Sequence, residues 1–69
     1  MAVNYQYNYA EIDVSTGRCR GVRTMTYEVS NPAMIPIPVY DDEYYGKYYL
    51  NGSWWEDAAG TIPWESSML

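Results

Sequence analysis

A chain of 69 residues with a net charge of −5, one cysteine and no histidine has little with which to brace a core. A domain this short buries only about 60% of its unfolded surface; Cys19 has no partner for an intrachain disulfide, and the lack of histidine excludes the usual Cys/His zinc sites. Only Arg18, Arg20, Arg23 and Lys47 are basic and no apolar run approaches the ~18 residues of a membrane span, so neither nucleic acid nor membrane is an expected partner.

Tyr5, Tyr7 and Tyr9 alternate with Gln6 and Asn8, the period of a half-exposed strand, while Ala10, Ile12 and Val14 carry apolar character on the opposite parity. A bulge near Ala10-Glu11 would bring both sets to one face; otherwise both faces are covered, one of them by a neighbour. Ser15-Thr16-Gly17 is turn chemistry, and Arg18 to Val29 reads as the returning strand, with Cys19, Gly21, Arg23, Met25, Tyr27 and Val29 on one face. Ser30 to Ala33 breaks the pattern. Ile35-Pro36-Ile37-Pro38-Val39 then alternates, but two prolines on one parity lack N–H donors, which confines this strand to a sheet margin. Tyr40 to Gly46 reads as one helical turn, with Asp41 as N-cap and Gly46 as a left-handed stop.

Asn51-Gly52 is the strongest local hairpin signal, because a two-residue type I′ turn needs positive φ at both positions. Closure there sets Leu50 opposite Ser53, Tyr49 opposite Trp54, Tyr48 opposite Trp55 and Lys47 opposite Glu56. Ala58 to Leu69 forms a tail in which Ile62, Trp64, Met68 and Leu69 are too apolar for a solvated end; it is expected to dock on its own sheet or on another subunit. The fold class is therefore all-β and mainly antiparallel: a small meander of two hairpins with a proline-containing edge strand over residues 1–57, and an extended docking tail over residues 58–69.

The chemistry-bearing residues assemble into no recognisable centre. Asp41-Asp42-Glu43, with Asp57 beyond, lacks the spacing of a calcium loop and reads as a helix-capping, solvated cluster. The three arginines read as a sheet face paired to Glu11 or Asp13, with a patch for an acidic partner as the alternative. Cys19 has no histidine to activate it and reads as a buried structural thiol. Ser66-Ser67 has no accompanying base. The expectation is a non-enzyme without cofactor or metal. Aromatic residues make up 17% of the chain, all Tyr and Trp, and these are the residue types that dominate interfaces. The expected contact set is Tyr48, Tyr49, Trp54, Trp55, Ile62 and Trp64, in a homo-oligomer.

Tyr9-Ala10-Glu11-Ile12-Asp13, then Gly17 and Gly21-Val22, then Ile35-Pro36-Ile37, then Asp41 through Tyr45-Gly46-Lys47-Tyr48-Tyr49, and finally Asn51-Gly52 and Trp54-Trp55-Glu56 form one pattern along the chain. This pattern resembles small proteins encoded beside tail-fibre and baseplate genes in phages of Gram-positive bacteria, over most of residues 9–57. Tyr44-Tyr45 stand where that family often has leucines, and the segment from Gly60 onward is an addition. The resemblance implies a virion tail structural or assembly component that contacts copies of itself and other phage proteins. The alternative is an inhibitor of a host defence protein, with Asp41, Asp42, Glu43, Glu56 and Asp57 masking a basic groove. The opening residues lack the basic and apolar regions of a secretory leader, so the host cytoplasm during infection, or the virion, is the expected location.

Overall fold

Asp13 organises the turn between the first two strands. Its carboxylate accepts from the Ser15 N–H (3.0 Å) and hydroxyl (2.6 Å), and its carbonyl accepts from Thr16 and Gly17. The structure, a computed structural model, describes residues 6–69; Tyr5 lies outside the described residues. Strands β1 (Tyr7–Ile12) and β2 (Cys19–Met25) pair antiparallel, and β3 (Met34–Pro36) joins the far side of β1, giving the order β2-β1-β3. The proline strand is thus at the margin, as the missing donors of Pro36 and Pro38 require. It is shorter than the alternation predicted, although Ile37 still donates its N–H to the Asn8 carbonyl and is buried. β2 also stops early, at Met25, and does not run on to Val29.

The bulge sits elsewhere than expected. Glu11 faces Gly21 and Ile12 faces Cys19, so the extra residue is Arg20 in β2, not Ala10-Glu11 in β1. Because side chains alternate with period two, that one extra residue moves Cys19 onto the same face as Val22 and away from Met25. Cys19 is fully buried in a cluster with Ala10, Ile12, Ile37 and Tyr44, packed by Val22, Ile35 and Tyr49. Burial pushes its thiol pKa up, and the S–H donates to the Gly21 carbonyl at 3.2 Å. The opposite face of β1 needs no neighbouring subunit at Tyr9. That ring is buried by the chain itself, and its phenol oxygen accepts the Val29 N–H at 2.8 Å.

β4 (Tyr48–Leu50) and β5 (Ser53–Trp55) form the second sheet in the predicted register, with Asn51 at φ 52° and Gly52 at φ 80°. One predicted pair is missing: Lys47 does not bridge to Glu56 but lies 5.1 Å from the centre of the Trp64 ring. The sheets are joined at the β1–β2 turn, where Tyr49 donates to Gly17, Cys19 donates to Lys47, and Gly46 donates to the Cys19 carbonyl. On the far side of β5 the tail adds a partial strand, with Glu56 donating to Ile62 and Trp64 donating to Trp54. The tail thus docks on its own hairpin and covers an edge that would otherwise be open to pairing.

Candidate aromatic contact face

A short 3-10 turn (Asp42–Tyr44) places the side chain on which this face is built. Asp41 is its N-cap, one carboxylate oxygen accepting the Glu43 N–H at 2.9 Å. The other oxygen accepts the Ser66 hydroxyl, and Ser66 in turn accepts the Met68 N–H at 3.1 Å. Both Asp41 and Ser66 are buried, so one carboxylate closes the turn and pins the end of the tail. Tyr44 follows on the inner side. Its ring meets Trp54 and Trp64 edge-to-face, each at 4.9 Å between centroids. Tyr49 leans on Trp54 from the other side at 5.1 Å. Burial, followed by the charges of Asp41 and Glu65, raises the Tyr44 phenol pKa.

Beside this stack lies a groove of about 370 Å³ lined by β5, by Tyr44 and by the tail residues Pro63, Trp64, Glu65, Ser66 and Leu69. Within β5 the Trp55 ring lies on the opposite sheet face from Trp54, against Leu50 and Gly60. Of the expected contact residues, the structure brings Trp54 and Trp64 together on Tyr44, while Trp55 borders the groove from the other face of β5; all three are half-buried. Tyr48 and Tyr49 are half-buried outside the groove, and Ile62, 50% exposed, does not line it either. Tyr44, Pro63, Glu65 and Leu69 are groove residues the sequence did not single out. Tyr44 had one available signal, its place one turn beyond the Asp41 cap.

The fold withdraws part of the expected acidic surface. Asp41 is buried and committed to Glu43 and Ser66. Asp57 accepts from the Thr61 hydroxyl and the Ile62 and Thr61 N–H groups, closing the β5–tail loop. Asp42, Glu43 and Glu56 remain exposed. Arg23 pairs with Glu11 at 3.0 Å, Arg18 stacks 5.7 Å from the Tyr45 ring centre, and Asp13 serves its own turn. Among the described residues no cluster of His, Cys, Asp or Glu is arranged to hold a metal, and no helix is long and apolar enough to cross a membrane.

Those loop hydrogen bonds hold the Asp57 carboxyl below its usual pKa, the Thr61 hydroxyl being the largest cause. A folded-state pKa below the unfolded value means that the contribution is present above the unfolded value. It is lost as pH falls through the folded one. The melting temperature should therefore fall on acidification below about pH 4. An Asp57→Asn variant should show a shallower acid slope in the same thermal melts, and identical slopes would contradict the assignment.

Comparison with known proteins finds no family model, no curated protein and no solved structure that matches this chain.

Proposed function

We propose that this chain is a non-enzymatic phage protein that works by protein–protein contact, as a tail structural or assembly component. The observation that carries the contact reading is apolar surface left uncovered in the tail: Ile62, Met68 and Leu69 are 50–64% exposed, and Leu69 lines the groove with the half-buried Trp54, Trp55 and Trp64. Large side chains gathered in this way are the usual anchors of interfaces, where truncating one often costs about 2 kcal/mol or more. The resemblance of residues 9–57 to tail-region proteins supplies the setting. Cys19 is sealed in the core and Ser66 donates its hydroxyl to Asp41 in pinning the tail, which gives both side chains a structural use.

Self-association and virion content test this reading separately. Light scattering at micromolar concentration should show an oligomer, and Ile62→Ser combined with Met68→Ser should return it to a folded monomer, because both side chains are exposed in the single chain. Mass spectrometry of purified virions should detect the polypeptide. A wild-type monomer would remove the homo-oligomer, and virions free of the polypeptide would remove the structural role.

A further inference from the structure

The two sheets have four margins, and three of them are closed to a further strand. β4 is met by the β1–β2 turn, through the Tyr49-to-Gly17 bond. The outer side of β3 presents Pro36. Ile35 and Ile37 pair toward β1, opposite Ala10 and Asn8, so alternation turns the Pro36 nitrogen outward, where it has no hydrogen to give. The tail repeats this device on β5. Ile62 and Trp64 bond inward to Glu56 and Trp54, which leaves Pro63, bridged to Trp55, with its nitrogen outward.

The fourth margin, on β2, is different. Asn8 and Ile12 of β1 bond to Ile37 and Ala33 on one side, so Tyr7, Tyr9 and Glu11 bond to Met25, Arg23 and Gly21 on the other. The N–H and C=O groups of Val22 and Thr24 therefore point away from the sheet, and among the described residues they have no hydrogen-bond partner. Pairing along this margin starts and then stops: Cys19 donates to Lys47 and accepts from Gly46, and nothing continues the ladder beyond it. Proline blocks the outward positions of β3 and the tail, whereas β2 keeps its outward donors, the template that an added strand uses.

Charge says what fits there. Three of the four basic residues of the chain, Arg18, Arg20 and Arg23, lie on or beside this strand. Arg23 pairs with Glu11 but stays 58% exposed, and Arg20 is exposed and forms no ion pair among the described residues. The bulge puts Arg20 and Arg23 on one face of β2 and Val22 on the other, against the core. A second copy presenting its own β2 would set arginines against arginines, and like charges directly opposite are destabilising. A segment with carboxylates on one face and apolar side chains on the other matches both faces of β2.

We propose that residues 22–24 of β2 accept an extended segment of a different protein as a fourth strand, its carboxylates set beside Arg20 and Arg23 and its apolar side chains beside Val22. None of these residues belongs to the tail or the groove, so the inference does not rest on the contact face proposed above.

A labelled octapeptide of alternating glutamate and valine, titrated into the full chain at neutral pH, tests this by fluorescence anisotropy and amide hydrogen exchange. Saturable binding is expected. The Val22 and Thr24 amides should exchange more slowly in the complex, while those of Arg23 and Met25, already in the ladder, should change little. The same peptide N-methylated at two successive central residues loses a donor on each edge and should bind at least about 10-fold more weakly. An alternating lysine–valine peptide should not bind. Arg20→Gln should weaken binding about 2- to 5-fold, the range for an exposed ion pair, and the loss should shrink as salt rises. Thr24→Pro removes an outward donor without touching the β1 ladder and should abolish binding; Arg20→Gln and the methylated peptide decide the question even if that variant fails to fold. The proposal is overturned by no saturable binding, by equal binding of the lysine or methylated peptide, or by binding that leaves the Val22 and Thr24 amides unprotected. It is also overturned if those amides become protected in the free protein as its own concentration rises, which would assign the edge to a second copy. Ile62→Ser with Met68→Ser, the test of the tail face, should leave the peptide's affinity unchanged, so the two readings fail separately.

Discussion

A Gly17→Ala variant is expected to lose about 3–5 kcal/mol of folding stability, near the upper end for a single substitution. For a chain of this length that is most of a total of roughly 3–10 kcal/mol. Two separate costs combine at this position. The backbone sits at φ 81°, where an L side chain is strained, and a Cβ there would lie 2.6 Å from the Tyr49 carbonyl oxygen and 2.9 Å from Leu50 Cδ2. The nearer atom is backbone, so relief requires the two sheets to part. That separation would break the Tyr49-to-Gly17 hydrogen bond of 2.8 Å and disturb the neighbouring Cys19-to-Lys47 bond of 2.7 Å. Two controls separate the terms. Gly52→Ala has φ 80° but nothing within 4 Å of its Cβ, so it reports strain alone and should cost about 1–2 kcal/mol. Gly21→Ala has neither problem and should be close to neutral. Urea unfolding midpoints at constant slope supply all three values. If Gly17→Ala costs no more than Gly52→Ala, the close approach of the turn to β4 is wrong.

Features whose causes lie within a few residues were legible in the sequence. Asn51-Gly52 dictated its own turn and thereby the pairing of Tyr49 with Trp54 and Tyr48 with Trp55. Asp41 capped the turn that follows it, and the prolines placed their strand at the margin because a missing donor has the same meaning in any context. Features decided across long separations were not. Nothing near Arg20 announces a bulge, since the extra residue is set by how Cys19 must reach the core alongside Val22. The second partner of Asp41 is Ser66, 25 residues away, and no local rule links them. The expected acidic surface loses Asp41 for this reason, because its exposed-looking carboxylate is committed elsewhere in the fold. The contact face was half legible. Trp54 and Trp55 follow from the hairpin, and Trp64 was named as apolar. The convergence of Trp54 and Trp64 on Tyr44 depends on the tail folding back, which sequence left open between this chain and a neighbour.

Tyr44→Ala should produce a loss of comparable size, about 3–5 kcal/mol, by removing a buried aromatic ring and leaving a cavity. The ring touches three elements that have little else in common: the core around Ile12 and Cys19, the β4–β5 hairpin through Trp54, and the tail through Trp64. Each edge-to-face pair adds about 0.5–1.5 kcal/mol beyond the area it covers. Losing both pairs should loosen the tail before the three-stranded sheet. The expected signature is a red-shifted tryptophan emission, weakened near-ultraviolet dichroism and rapid proteolysis near Gly60, with β1–β2 dichroism retained at low temperature. Tyr44→Phe keeps the ring and should be near neutral at pH 7. It should differ in alkali. Burial raises the phenol's folded pKa above its unfolded value, so the native ring resists ionisation and its contribution is complete below the unfolded pKa. The wild type should then lose stability as pH rises past about 10, the ordinary tyrosine value, and Tyr44→Phe should lose less. The Phe variant thus tests the burial of the hydroxyl and the Ala variant tests the packing of the ring. Should Tyr44→Ala melt at the wild-type temperature, neither the stack nor the groove built around it would survive.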